Sequence, residues 1–290
     1  MGLAPGAVES IRSARAHMVY WHRRRARPAR PTGGGGSGDV VKRSMGATGR
    51  RTVRRAVTWR PKQPGREPVD IAVLVSPLRY DVRVRADFFD LVSTRPADEP
   101  LEDLMAVARD SSYAAWFERV AMARFRPWVL GDPTLLDEQL AERVESARAL
   151  YWSFRERGFD TRSPVVLRRT TSPTRSDSGA LIRPRLHVGD GGHRLALLLQ
   201  SGGVADPGTY LVDPRPAPVI DNTVRLFDAK DAQSPAYLGF IASGYLDQAP
   251  AEVSSAADLV DAVLEVRGPE VAAEVRGVLA AHRRAWGVTT

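Results

Sequence analysis

Within Val188-Gly189-Asp190-Gly191-Gly192-His193-Arg194-Leu195, residue types suited to holding an anion stand side by side. The first-turn amides of a helix lack internal partners and carry the positive end of the dipole, so such a terminus is a ready phosphate site. Gly191 and Gly192 let the backbone approach a phosphate with no Cβ in the way. Arg194 can add a bidentate charged clamp, and His193 one hydrogen bond or, when protonated, a charge. Leu195, Leu198 and Leu199 fall at i, i+3 and i+4, which anchors the next helix on a core and turns its polar N-terminus outward. The same letters have a plainer reading, because Asp-Gly is also a common hairpin turn, with a surface His and Arg. Leu195 to Leu199 weighs against it, since this run does not alternate as a half-exposed second strand would.

Arg168 and Arg169 end a strand expected beside this turn, where either could reach a phosphate or a base; a solvated strand end is the commoner outcome. His187 precedes the turn, and a lone histidine is more often a satisfied structural residue than a ligand. No His/Asp/Glu spacing suggests zinc, so no metal ligand is assigned. The chain has no cysteine, which excludes disulfides, thiolate metal sites and every cysteine-based mechanism. Neither a P-loop nor a dinucleotide fingerprint is present, and no Gly-x-Ser-x-Gly elbow.

The elements that must position the turn follow from periodicity. Val69–Val75 and Tyr80–Arg85 read as strands, the second by its alternation of apolar and polar residues. Helical spacing runs from Leu101 to about Arg124, with a break around Ser111-Ser112. A clearer helix spans Thr134 to Arg157, with Thr134 and Asp137 as a capping start and Gly158 as its stop. Pro164–Arg169 reads as a strand, residues 170–183 as a loop and Leu186–Val188 as a short strand. A helix from Gly192 to Gln200 is closed by Gly202-Gly203. Strands are expected at Thr209–Val212 and Val224–Phe227, and helices at Ser254–Val266 and Pro269–Trp286.

The 290 residues and 43% apolar content suffice for one or two cores, and the net charge of +8 is unevenly spread. Residues 1–67 hold 14 Arg and 2 Lys against Glu9, Asp39 and Glu67, and the remainder is net acidic. With its Gly33–Gly38 linker and little apolar periodicity, this arm is expected to be disordered. It is either a basic arm for nucleic acid or a poorly constrained extension from an upstream start codon. Only three of the 42 basic residues are lysine, a bias that a GC-rich genome produces unaided. No apolar run approaches the roughly 18 residues of a membrane span and no signal-like h-region follows the first arginines, so a cytoplasmic protein is expected.

The order helix, Gly158, Pro164-Val165-Val166 strand, loop, strand, Gly-Gly-His-Arg turn, apolar helix, Gly202 resembles the ParB/sulfiredoxin superfamily over about residues 139–213. The resemblance implies an α+β fold, a small mixed sheet with packed helices, and a box that holds nucleotide phosphates on Gly191, Gly192, His193 and Arg194. It divides the chain into the arm 1–67, an α+β domain 68–227 with an N-terminal strand and helix extension, and a C-terminal helical segment 228–290. Sulfiredoxin chemistry needs a cysteine where this chain has Gly192, so sulfinic-acid repair is excluded. Chromosome-partitioning members carry a Gly-Glu-Arg-Arg box, a second Asn-rich box and a helix-turn-helix domain. The first is Gly-Gly-His-Arg here, the second is not found, and the residues after Thr223 are short for the third. Serine-kinase-like members carry Asp-Gly-His-His-Arg, matched at Asp190, Gly191, His193 and Arg194 but not at Gly192. By that carry-over Asp190 is a candidate general base or magnesium ligand; otherwise it caps the helix or makes the turn.

These readings lead to a nucleotide- or phospho-ligand-binding protein, with ATP or CTP and Mg2+ as the implied cofactor. If it is an enzyme, phosphoryl transfer or nucleotide hydrolysis is the reaction. The alternative is a DNA-associated accessory protein with a nucleotide switch and a basic DNA-binding arm. A third reading is a non-enzymatic relic of the superfold.

Overall fold

The computed structural model describes residues 61–215, 218–247 and 253–288, all within one compact unit. The basic arm lies outside the described residues up to position 60. Its last stretch is described, and there Gln63–Pro64 forms β1. A strand over Val69–Val75 is not formed: only Val69–Asp70 is strand, β2. Asp70 Oδ1 accepts from the Ala72 amide at 2.8 Å and opens a helix, α1 (Ile71–Val75). Tyr80–Arg85 is likewise not a strand but the start of α2 (Tyr80–Ser93). Its alternation misleads because Asp81 and Arg85, which a strand would turn to water, are one helical turn apart and form a buried ion pair. Val82, Phe88, Phe89 and Val92 are buried along the same helix.

The break expected near Ser111 is present. α3 (Leu101–Arg109) ends there and Ser111 caps α4 (Ser112–Trp116) by accepting from the Tyr113 amide. A π-helical turn, Phe117–Met122, and a 3-10 turn, Pro127–Gly131, lead on to α5 (Pro133–Arg157). Asp132, not Thr134, caps α5, with its Oδ1 3.1 Å from the Leu135 amide. Gly158 stops it at φ 72°, a left-handed geometry that suits glycine.

Then come β3 (Val165–Arg169), the hairpin β4 (Thr174–Arg175) and β5 (Leu181–Ile182) inside the expected loop, and β6 (Leu186–Asp190). α6 (Gly192–Gln200) follows directly, then β7 (Val204–Ala205) and β8 (Tyr210–Asp213). The main sheet has the order β1-β8-β3-β6, with β3 parallel to β8 and antiparallel to β6. Val165, Val166 and Leu167 are all buried, the unbroken apolar run of a strand covered on both faces. α6 lies along α2, and their buried residues Leu195, Ala196, Leu198, Val82 and Phe89 share one core with the sheet.

Val224–Phe227 is not a strand either; Thr223–Leu226 is a single helical turn, α7, whose first amide is held by Asp221 Oδ1 at 3.0 Å. Four residues are too few for alternation to tell the two apart. α8 (Pro235–Ala242) has no counterpart in the sequence reading, because it is apolar almost all round and has no helical period to detect. α9 (Ala256–Arg267) and α10 (Pro269–Ala285) close the chain. The fold is therefore α+β, with small sheets and a helical majority. Among the described residues no helix is long and apolar enough to cross a membrane.

Candidate functional site

β6 delivers the chain to the turn, and three glycines sit where side chains would not fit. A Cβ on Gly189 would lie 2.9 Å from the Val166 carbonyl oxygen. Gly191 takes φ 89° and would meet the Val165 Cα at 3.2 Å, so the left-handed step into α6 depends on it. At Gly192 the obstacle is a side chain from elsewhere: a Cβ there would be 2.6 Å from Arg85 Nη1 and 3.1 Å from its Cζ.

α6 begins without a side-chain cap, so its first amides keep their donor capacity and the positive dipole end. Asp190 is exposed and its Oδ1 accepts from the Gly191 amide at 2.8 Å, the turn-making use of an aspartate. Arg194 turns back onto the strand, its Nη1 donating to the carbonyls of Ser163 and Pro164. His193 lies edge-on to Phe89, Tyr113 and Trp116, and its Nε2 is 2.8 Å from the Tyr113 hydroxyl. Burial first, then the charges of Arg85 and Arg143, push its pKa well below the ordinary imidazole value, while burial raises that of Tyr113. The pair is neutral, so His193 brings no charge to the site.

Of the two strand-end arginines, Arg169 lies away from the turn, while Arg168 reaches Gly189 beside it. Antiparallel pairing sets Val166 opposite Asp190 and Arg169 opposite Leu186, at the far end of β6. Arg168 lies beside Gly189 and faces Asp213 across β8, while Arg169 is exposed.

Further cations behind the turn come from the segment around α2. Asp81, fully buried, takes Arg79 in a two-pronged pair at 2.8 and 3.0 Å and Arg85 Nη1 at 2.7 Å. Burial would raise the Asp81 pKa, but the two guanidiniums and hydrogen bonds from Arg79 and Asn222 outweigh it and hold the group well below the usual carboxylate range. Arg79 Nη1 also donates to the Val188 carbonyl at 3.1 Å, tying the cluster to β6 two residues before the turn. Arg85 lies over the Trp116 ring at 4.1 Å, and among the described residues neither its Nε nor Trp116 Nε1 has a hydrogen-bond partner although both are buried. Sequence reading missed Arg79, Asp81, Arg85 and Trp116. The one signal available was the i, i+4 spacing of Asp81 and Arg85, a helical ion-pair spacing inside an apparent strand pattern.

Fold and site together define an α+β protein whose uncapped helix N-terminus is backed by a buried arginine pair sharing one carboxylate. No protein-family model, no curated protein and no solved structure matches the chain.

Proposed function

We propose that this protein binds a nucleotide or another phosphorylated ligand, with a phosphate seated on the N-terminus of α6. The observation that carries the reading is that α6 starts on Gly191-Gly192 with no side-chain cap, leaving its first-turn amides for a ligand. Buried Arg85 behind Gly192 adds to it. The ParB/sulfiredoxin resemblance, which places nucleotide phosphates on the same box, makes ATP or CTP the first ligands to test.

A Mg2+ ion would suit a nucleotide-borne role only. Asp190 is the carboxylate on the turn and its Oδ1 is spent on Gly191, whereas Mg2+ is commonly held by one or two carboxylates plus phosphates. Bound this way, the ion would neutralise phosphate charge. Asp190 is also the residue from which phosphoryl transfer would need a base.

Thermal melts of the full chain with ATP, CTP, pyrophosphate and inorganic phosphate, with and without Mg2+, test the proposal. A ligand at 100 times its Kd adds about 2.7 kcal/mol, a rise of roughly 5–10 °C for a domain of this size. Unchanged melting with every phospho-compound would sink it.

A further inference from the structure

Resting on that reading, we propose that the site selects a doubly charged terminal phosphate over a singly charged phosphodiester or carboxylate, and that Arg85 is the residue that sets this selectivity. Arg79, Asp81, Arg85 and Trp116 all lie outside residues 139–213, so the box resemblance says nothing of them.

The charge count comes first. Among the described residues Asp81 is the one carboxylate bonded to Arg79 and Arg85, so this buried cluster keeps one unit of positive charge. The α6 N-terminus adds about half a charge of the same sign. Around the cluster, Asp190 acts on both Arg79 and Arg194, so the rim pair of Asp190 and Arg194 roughly offsets itself. Asp221 also acts on Arg79 but is engaged by His282 Nε2 at 2.9 Å and Ser178 Oγ at 2.5 Å. His193 is itself neutral and adds no charge. The surplus is therefore between one and two charges, and a phosphate monoester carries about −1.5 to −2 at neutral pH.

Geometry says which cation meets the ligand. Arg85 is 8% exposed, a buried cation set at the positive end of a helix, where a cation is unfavourable without an anion beside it. Its guanidinium occupies the space a Gly192 side chain would fill, Nη1 is spent on Asp81, and Nε has no partner. Trp116 Nε1, beneath the same guanidinium, is a second buried donor without one. The guanidinium of Arg85, with Nη1, Cζ and Nη2 all within 3.5 Å of the Gly192 Cβ position, thus brings the cluster's surplus charge to the glycine that opens α6. Arg194 also lies beside the turn, its Nη2 3.4 Å from the Gly191 Cβ position, but its Nη1 is held by two carbonyls and its charge is offset by Asp190.

The test is calorimetric and thermal-shift titration of the full chain at constant ionic strength with sulfate, phenyl phosphate, dimethyl phosphate and acetate. Wild type is expected to bind sulfate and phenyl phosphate at least tenfold more tightly than dimethyl phosphate or acetate. Arg85→Met should lose that tenfold preference, and Arg85→Lys, which keeps the charge but not the fork, should keep part of it. Asp81→Asn removes the internal counter-ion: it should melt lower than wild type yet bind sulfate at least threefold more tightly, which loss of structure alone would not produce. Should Arg85→Met fail to fold, Asp81→Asn and Arg85→Lys still decide. Equal binding of monoanions and dianions, or weaker sulfate binding in folded Asp81→Asn, overturns the selectivity while leaving phosphate binding intact. No binding of any phospho-compound overturns both this inference and the function it rests on.

Discussion

Arg85 Nη1 stands 2.6 Å from the point where a Gly192 side chain would begin. A helix more than a hundred residues earlier in the chain thereby fixes which residue may open α6. Arg85 cannot easily swing away, because Asp81 holds it at 2.7 Å and the Trp116 ring lies 4.1 Å from its Cζ. Gly192→Ala is expected to lose about 1–3 kcal/mol, the usual cost of overpacking, and to weaken phosphate binding in parallel. Urea denaturation compared with wild type measures the first and titration the second; wild-type values for both would show that Arg85 moves freely.

Asp81 is the hinge of the charge cluster and is fully buried. Asp81→Ala leaves Arg79 and Arg85 without their common partner, and breaking a buried pair in this way costs about 3–5 kcal/mol. Equilibrium unfolding should show that loss at neutral pH. A loss under 1 kcal/mol would mean that water already screens the cluster.

Acid stability follows from two histidines. Burial, aided by Arg185, pushes His187 down to about 4, and His193 is depressed below the ordinary 6.5 as well. Between those folded values and 6.5 the unfolded chain binds protons that the folded chain does not, so stability is lost as pH falls below about 6.5. Each group contributes up to about 1.4 kcal/mol per pH unit over its window. Asp81, held low in the folded state, adds nothing to the slope until the pH falls toward its unfolded value near 3.8. Urea midpoints from pH 7.5 to 4.5 should fall steadily, less so in His187→Gln; a flat profile would contradict both depressed values.

Ligand binding should carry a different pH signature. Since His193 stays neutral beside Tyr113, affinity for sulfate, a permanent dianion, should hold level from pH 6 to 8. Affinity for a phosphate monoester should instead rise through about pH 6, where its second proton leaves. Sulfate affinity that falls with rising pH would point to a protonated histidine as the anion partner.

The α10 end has its own polar lock. Buried His282 bridges the Tyr237 hydroxyl at 2.8 Å and Asp221 Oδ2 at 2.9 Å. His282→Phe strands the Tyr237 hydroxyl and takes one partner from Asp221, which keeps Ser178 Oγ at 2.5 Å, and a buried group left unpaired costs about 1–3 kcal/mol. Hydrogen exchange in α10 should quicken accordingly, and unchanged protection there would show that apolar packing alone secures the helix.

Much of the middle of the chain was legible from residue order. Apolar period and the Gly158 stop marked α5, and Gly191-Gly192 followed by Leu195, Leu198 and Leu199 marked α6 with its ends. Local signals sufficed there because caps, glycines and helical spacing act over a few residues. What sequence could not decide was where α2 would lie. Tyr80–Arg85 alternates like a strand, and only tertiary packing makes Asp81 and Arg85 an inward ion pair set against Gly192. By itself, then, the sequence determined a helix that opens on Gly191-Gly192. The fold decided which side chains stand around it, tying Arg194 Nη1 to the Ser163 and Pro164 carbonyls and bringing Arg85 across more than a hundred residues, because a buried charge settles where its counter-charge and room for it coincide.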